Sequence, residues 1–193
     1  YQLTIESGTA FGKRVARGDQ LALEPDDAAD FFGVTDEVLT TSGYERYEIS
    51  NHARDLAAQS RHNRLYWEGG DWIGIGPGAH GRLGTLNRSG RLATEAARRP
   101  QEYIEQVVST GWGVKSLETL SAEDERTERV LMGLRIASGL DLTEVESFTG
   151  LGINETECQR MIELGYLRRD GGRLALTREG QVLGDGVSMA LIP

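Results

Sequence analysis

The chain has 193 residues, 38% of them hydrophobic, a mean hydropathy of -0.40 and a net charge of -9 at pH 7. That length carries one sizeable core or two small ones, and no run approaches the roughly 18 to 20 apolar residues of a membrane-spanning helix. The negative balance argues against nucleic acid, whose recognition rests on neutralising phosphates, and the single cysteine, Cys158, excludes an internal disulfide or an all-cysteine metal cluster.

In chain order, "YQLTIESGTAF" opens without methionine and reads as a strand over 1–5 followed by a Gly-containing turn, as in a piece of a longer protein. A helix is expected from about Asp26 to Ser42, with Phe31, Phe32, Val34, Val38 and Leu39 on its apolar side and Gly43 as a left-handed stop. "YERYEIS" alternates as a second strand, and strand–helix–strand suggests part of a parallel α/β sheet. Residues 51–80 are rich in glycine and aromatics, with "DWIGI" a short strand among them. "GRLGTLNRSGRLATEA" reads as a hairpin turning at Asn87 to Gly90. Pro100 then opens a helix that Gly111 follows.

From Ser121 the pattern becomes helical. Ser121 and Asp124 resemble a capping box, and Val130, Leu131, Leu134 and Ile136 form an apolar face before Gly139. Helices over Leu142 to Thr149 and Glu155 to Leu164, a hairpin around Asp170 to Gly172 and a last helix over Arg178 to Ala190 complete a winged-helix order. The helix that would enter a DNA groove carries Glu155, Glu157 and Glu163 against Arg160 alone, so this is a packing or protein-contact module. The expected divisions are 1–50, 51–112 and 113–193. Phe31, Val38, Leu39, Ile49 and Ile75 should lie in a first core, and Val130, Leu134, Ile162 and Leu167 in a second.

The stretch "RHNRLYWEGGDWIGIGPGAHG", residues 61–81, holds two of the three histidines and two of the three tryptophans beside six glycines. Gly76, Gly78 and Gly81 spell G-x-G-x-x-G, but a dinucleotide fingerprint needs a helix directly after it, and a hairpin is expected. The loop is better read as one that lets backbone approach something closely. His62 and Tyr66, four apart, would share a helix face with Trp67 beside them; a neutral imidazole is a good axial ligand for haem iron, and a hydrogen-bonded structural histidine is the plainer alternative. His52 and His80 are lone loop histidines. Arg82, Arg88, Arg91, Arg98 and Arg99 form either a solvated hairpin surface or an anion-facing one. No nucleophile elbow is present.

Together "YQLTIESGTAF", "GYERYEISNHAR", "RHNRLYW", "GGDWIGIGPGAHGRL" and the distal "LGYL" and "LALTREG" resemble, in order and nearly end to end, the C-terminal half of the radical-SAM haem chaperones. These are close relatives of oxygen-independent coproporphyrinogen III oxidase. The resemblance implies the last β/α elements of a partial, TIM-like radical-SAM barrel followed by a winged-helix-like C-terminal domain. It implies a protein that binds haem and hands it to an accepting apoprotein, or alternatively one that decarboxylates coproporphyrinogen III to protoporphyrinogen IX. The family's H-N-x-x-Y-W segment falls on His62, Asn63, Tyr66 and Trp67, with His62 the metal ligand, Tyr66 and Trp67 an apolar wall, and Arg61, Arg64 or Arg82 near the propionates. S-adenosylmethionine contacts would fall on Gln2 and Thr4 and on the glycine turn at Gly76, Gly78, Ala79 and His80. The [4Fe-4S] cluster belongs to the family's N-terminal half, whose C-x-x-x-C-x-x-C motif is not found here, so this stretch by itself should be non-catalytic. Its sheet partner missing, the edge of the opening strand should favour a homodimer. One thiol and no leader-like pattern lead to the expectation of a cytoplasmic protein.

Overall fold

A computed structural model of the protein describes residues 3–84 and 90–193. The chain divides into two units, 1–58 and 59–193, and the fold is mixed α/β.

In the first unit Thr9 caps α1 (Ala10–Val15), its hydroxyl accepting from the Gly12 amide at 3.0 Å. Helix α2 (Pro25–Thr41) has proline in its first turn and ends before Gly43, whose φ is +81°. Residues 3–5 lie in no strand, and residues 1 and 2, Gln2 included, fall outside the described residues. A strand needs a neighbour to take its backbone hydrogen bonds, and none of the described strands runs beside this segment. Among the described residues 3–5, where the edge for a homodimer was expected, no strand forms.

The second expected strand is present as β1 (Glu45–Glu48), and its partner among the described residues is not the opening segment but β2 (Asn51–Ala53), with which it pairs antiparallel, the short link between them permitting a hairpin. The first core is corrected too. Phe31 and Val38 are 60% and 58% exposed, while Leu39 and Ile49 are half-buried. What this unit buries instead is polar. Asp36 accepts from Arg46 Nε at 2.9 Å and lies 3.1 Å from His52 Nε2, and Glu48 accepts from the Asn51 side-chain Nδ2.

The second unit opens with α3 (Arg61–Trp67), followed by an antiparallel sheet of β3 (His80–Leu83), β4 (Leu92–Ala96) and β5 (Val114–Thr119). Helix α4 (Pro100–Thr110) lies between β4 and β5, with Pro100 in its first turn and Gly111 at φ +86° after its end. The expected hairpin is present as β3–β4, although most of its turn lies outside the described residues. "DWIGI" forms no strand: Trp72 makes one bridge to Arg82, with backbone bonds of 2.8 and 2.9 Å, before Gly76 turns the chain at φ +109°. Ile75, expected inside, is 83% exposed.

Ser121 caps α5 (Ala122–Gly133), accepting from the Asp124 amide at 3.1 Å and donating to its carboxylate at 2.8 Å. The helix stops short of Gly139, and β6 (Leu140–Asp141) leads into α6 (Leu142–Thr149) and α7 (Glu155–Glu163). β6 then pairs with β8 (Arg173–Leu176), which also pairs with β7 (Leu167–Asp170). The expected last helix is two, α8 (Arg178–Val182) and α9 (Gly184–Ala190), broken at Leu183 before a pair of glycines. Val130, Leu134, Leu167, Leu174 and Leu191 are at most 2% exposed, each such side chain contributing about 1.5–3 kcal/mol on burial. Ile162 is half-buried. No helix among the described residues is long and apolar enough to cross a membrane.

Candidate functional site

Helix α3 carries the H-N-x-x-Y-W residues. Ser60 caps it, accepting from the Asn63 amide and donating to the Asn63 side-chain oxygen, both at 3.2 Å. Asn63 is thereby occupied in closing the helix start. His62 and Tyr66, one turn apart, meet edge to face with ring centroids at 4.7 Å, and Tyr66 meets Trp72 the same way at 4.5 Å. The His62 ring is exposed and Tyr66 half-buried. The Trp72 indole N–H donates to the His80 carbonyl at 3.0 Å, which joins the helix face to the glycine turn.

Trp67 looks elsewhere. Neighbours along a helix project about 100° apart, so Tyr66 and Trp67 do not build one wall, and that expectation is corrected. The Trp67 ring lies under the Arg135 guanidinium at 5.0 Å and lines a cavity of about 420 Å³ with Arg64, Gly69, Arg129, Asp141 and Arg173. Its indole nitrogen is buried with no hydrogen-bond partner.

The glycine turn is built for close packing. A Cβ on Gly74 would sit 2.5 Å from the His80 carbonyl oxygen, and one on Gly81 2.5 Å from Thr94 Oγ1. The amides of Gly76, Gly78 and Ala79 are already engaged, donating to the Tyr103 hydroxyl, the Ala97 carbonyl and the Gly76 carbonyl. A strand follows the turn, so no helix N-terminus is available for a pyrophosphate. His80 is exposed, as is Thr4 in the first unit.

The arginine cluster divides. Arg82 makes a bidentate pair with Glu128, whose hydrogen bonds hold its pKa above the ordinary value. Arg91 is 2% exposed, donates to the Gly70 carbonyl and lies 3.9 Å from Asp71. Burial, and then the positive charge of Arg129, lowers its pKa. Only Arg98 and Arg99 remain on the surface as expected, Arg98 paired with Glu95; Arg88 lies outside the described residues. The motif therefore rests on buried charge, with Trp72 and Arg91 as members that residue spacing did not single out. The three tryptophans were the available signal: Trp72 sits within the same dense stretch.

Among the described residues no group of three His, Cys, Asp or Glu could hold a metal ion. Cys158 is buried, and burial pushes its thiol up, so the residues present do not fit an iron–sulfur cluster and no chemistry here is routed through one. A single exposed imidazole beside aromatic rings does fit one axial bond to a flat, metal-bearing ligand.

Residues 120–183 match the family model described as the HemN C-terminal domain. The chain is similar to heme chaperone HemW of Mycobacterium tuberculosis, 35% identical over all of this chain and 46% of that protein. It is also similar to heme chaperone HemW of Escherichia coli, 32% identical over 94% of this chain and 46% of the relative. The mouse radical S-adenosyl methionine domain-containing protein 1, mitochondrial, is 32% identical over the whole chain and 45% of its own length. Among solved structures, the radical-SAM coproporphyrinogen III oxidase HemN of Escherichia coli superimposes with a TM-score of 0.65 at 18% identity, over 95% of this chain and 45% of the other, a likeness of fold. The chain thus spans about half the length of the relatives it matches.

Proposed function

We propose that the chain is the haem-presenting, C-terminal half of a haem chaperone of the HemN-like radical-SAM family; the HemN C-terminal domain match over residues 120–183 and the similarity to the heme chaperones HemW support this reading. The observation that carries this reading is the exposed His62 imidazole seated edge-on against Tyr66 at 4.7 Å. In this reading His62 takes the iron as cargo, Tyr66 flanks the macrocycle, and the exposed Arg61 is the cation for a propionate, since Arg64 and Arg82 are already held by Glu68 and Glu128. Asn63 and Trp67 fasten the helix that presents them.

The first 50 residues are assigned to the end of a partial barrel, 51–112 to the presenting segment and 113–193 to a winged-helix-like domain. The helix–strand–helix–helix–hairpin order of α5 to β8 supports the last of these. In the full-length protein the cluster and S-adenosylmethionine would be held mainly by the other half. The turn from Gly76 through Gly78 and Ala79 to His80 would contribute surface to the nucleoside rather than amide donors, the amides of Gly76, Gly78 and Ala79 being taken. The receiving partner is a haem-accepting apoprotein, and one buried thiol suits a cytoplasmic, reducing compartment.

The Mycobacterium tuberculosis and Escherichia coli relatives, at 35% and 32% identity, carry the chaperone name, whereas the oxidase is a likeness of fold at 18% identity, so we place oxidation of coproporphyrinogen III second. Full-length protein, given haem in one experiment and coproporphyrinogen III under anaerobic reducing conditions in another, separates the two. Stoichiometric haem binding without protoporphyrinogen formation is expected; rapid product formation without haem binding would overturn the proposal.

A further inference from the structure

We infer that Trp72 is a positioning residue for His62, acting through Tyr66, and that the buried Arg91 fixes Trp72 in turn. The inference rests on the reading of His62 as the haem ligand and adds what sets its orientation.

Helix α3 has seven residues, too few to hold a shape by itself. An exposed imidazole on such a helix would sample several rotamers. His62 instead meets the Tyr66 ring at 81° and 4.7 Å, and Tyr66 meets Trp72 at 62° and 4.5 Å. Edge-to-face pairs in this range are attractive because the positive rim of one ring faces the negative face of the other, which sets angle as well as distance. The ladder therefore transmits orientation from Trp72 outward to His62.

Trp72 is itself held on several sides. Its backbone bridges Arg82 at 2.8 and 2.9 Å, and its indole N–H donates to the His80 carbonyl at 3.0 Å. The guanidinium carbons of Arg91 and Arg82 lie 5.1 and 5.8 Å from its ring centroid, within cation–π reach. Arg82 is locked by Glu128. Arg91 is the deepest member, with its side chain 1% exposed and its Nε without a hydrogen-bond partner. It holds the Gly70 carbonyl, and so the peptide between α3 and Trp72, while lying against the indole ring. A buried cation at one end and an exposed imidazole at the other make a ladder that space-filling alone does not require.

The test uses the full 193-residue chain, reading the His62 imidazole signals by ¹H–¹³C NMR and haem affinity by Soret titration. His62→Ala assigns the signals. Trp72→Phe keeps an aromatic ring and should leave the His62 signals displaced by ring current, with haem affinity within about twofold. Trp72→Leu keeps the bulk but not the ring; it should return those signals to free-imidazole positions and weaken haem binding about three- to tenfold. Unmoved His62 signals in Trp72→Leu, with affinity equal to that of Trp72→Phe, would overturn the inference. Should Trp72→Leu fail to fold, Trp72→Met takes its place: His62 signals returned to free-imidazole positions support the inference and unmoved ones overturn it. If His62→Ala leaves the haem titration unchanged, the haem reading fails, and the NMR of the Trp72 variants still decides the positioning role.

Discussion

The two units bury opposite kinds of side chain. In residues 1–58 the buried apolar side chains among the described residues are Tyr47 and Ala53, while Asp36 and Glu48 are buried and Phe31, Val34 and Val38 are more than half exposed. In residues 59–193 an apolar core of Val130, Leu134, Leu174 and Leu191 is closed, and buried charge there includes the matched pair Arg129 and Glu125. Periodicity finds the apolar stripe of a helix in both units, yet a stripe becomes a core only where another element covers it. The candidate site belongs to the unit whose packing is complete, where a ring can be held at a fixed angle.

The difference is sharpest where charge is buried. Arg129 and Glu125 are about 5% exposed and joined by bonds of 2.9 and 3.0 Å, with the Arg129 guanidinium 4.0 Å from the Phe148 ring. Arg129→Met strands a buried carboxylate and should cost about 3–5 kcal/mol in urea unfolding followed by tryptophan fluorescence. All three tryptophans lie in residues 59–193, so this signal reports that unit. A loss below about 1 kcal/mol would mean that the second unit tolerates a buried carboxylate without its cation.

The apolar contrast should be nearly as large. Leu134→Ala should cost about 2–5 kcal/mol by the same measurement. Val38→Ala in α2 should change protection of the α2 amides by no more than about 0.5 kcal/mol in hydrogen exchange. Equal costs would show that Val38 is buried in solution. A loss smaller than those of Arg129→Met and Leu134→Ala concerns the polar centre of the first unit: Asp36→Asn keeps the shape but removes the charge shared by Arg46 and His52. It should lower protection of the β1–β2 hairpin by about 1–3 kcal/mol and leave tryptophan fluorescence unchanged.

Local chemistry made much of the second unit legible. Helix α6 begins and ends where expected, because Asp141 accepts from the amides of Thr143 and Glu144 and Gly150 adopts φ +69°. The Ser121 capping box and the β3–β4 and β7–β8 hairpins follow from equally short-range signals. What stayed hidden depends on distant partners. β5 and β6 are strands because β4 and β8 lie beside them, and the opening segment is not one because nothing described does. In the site, the four-residue spacing of His62 and Tyr66 was readable as one helix face, and their contact follows from it. The parting of Tyr66 from Trp67, the capping duty of Asn63 and the burial of Arg91 come from tertiary packing, which spacing does not encode.

The claim that His62 is the ligand on an exposed, pre-oriented face is tested most directly by titrating haem into full-length protein and its His62→Ala variant while following the Soret band. A shifted Soret maximum and affinity at least about tenfold weaker in the variant, with fluorescence-monitored unfolding unchanged, is the predicted result. Identical spectra and affinity in the two proteins would contradict the account.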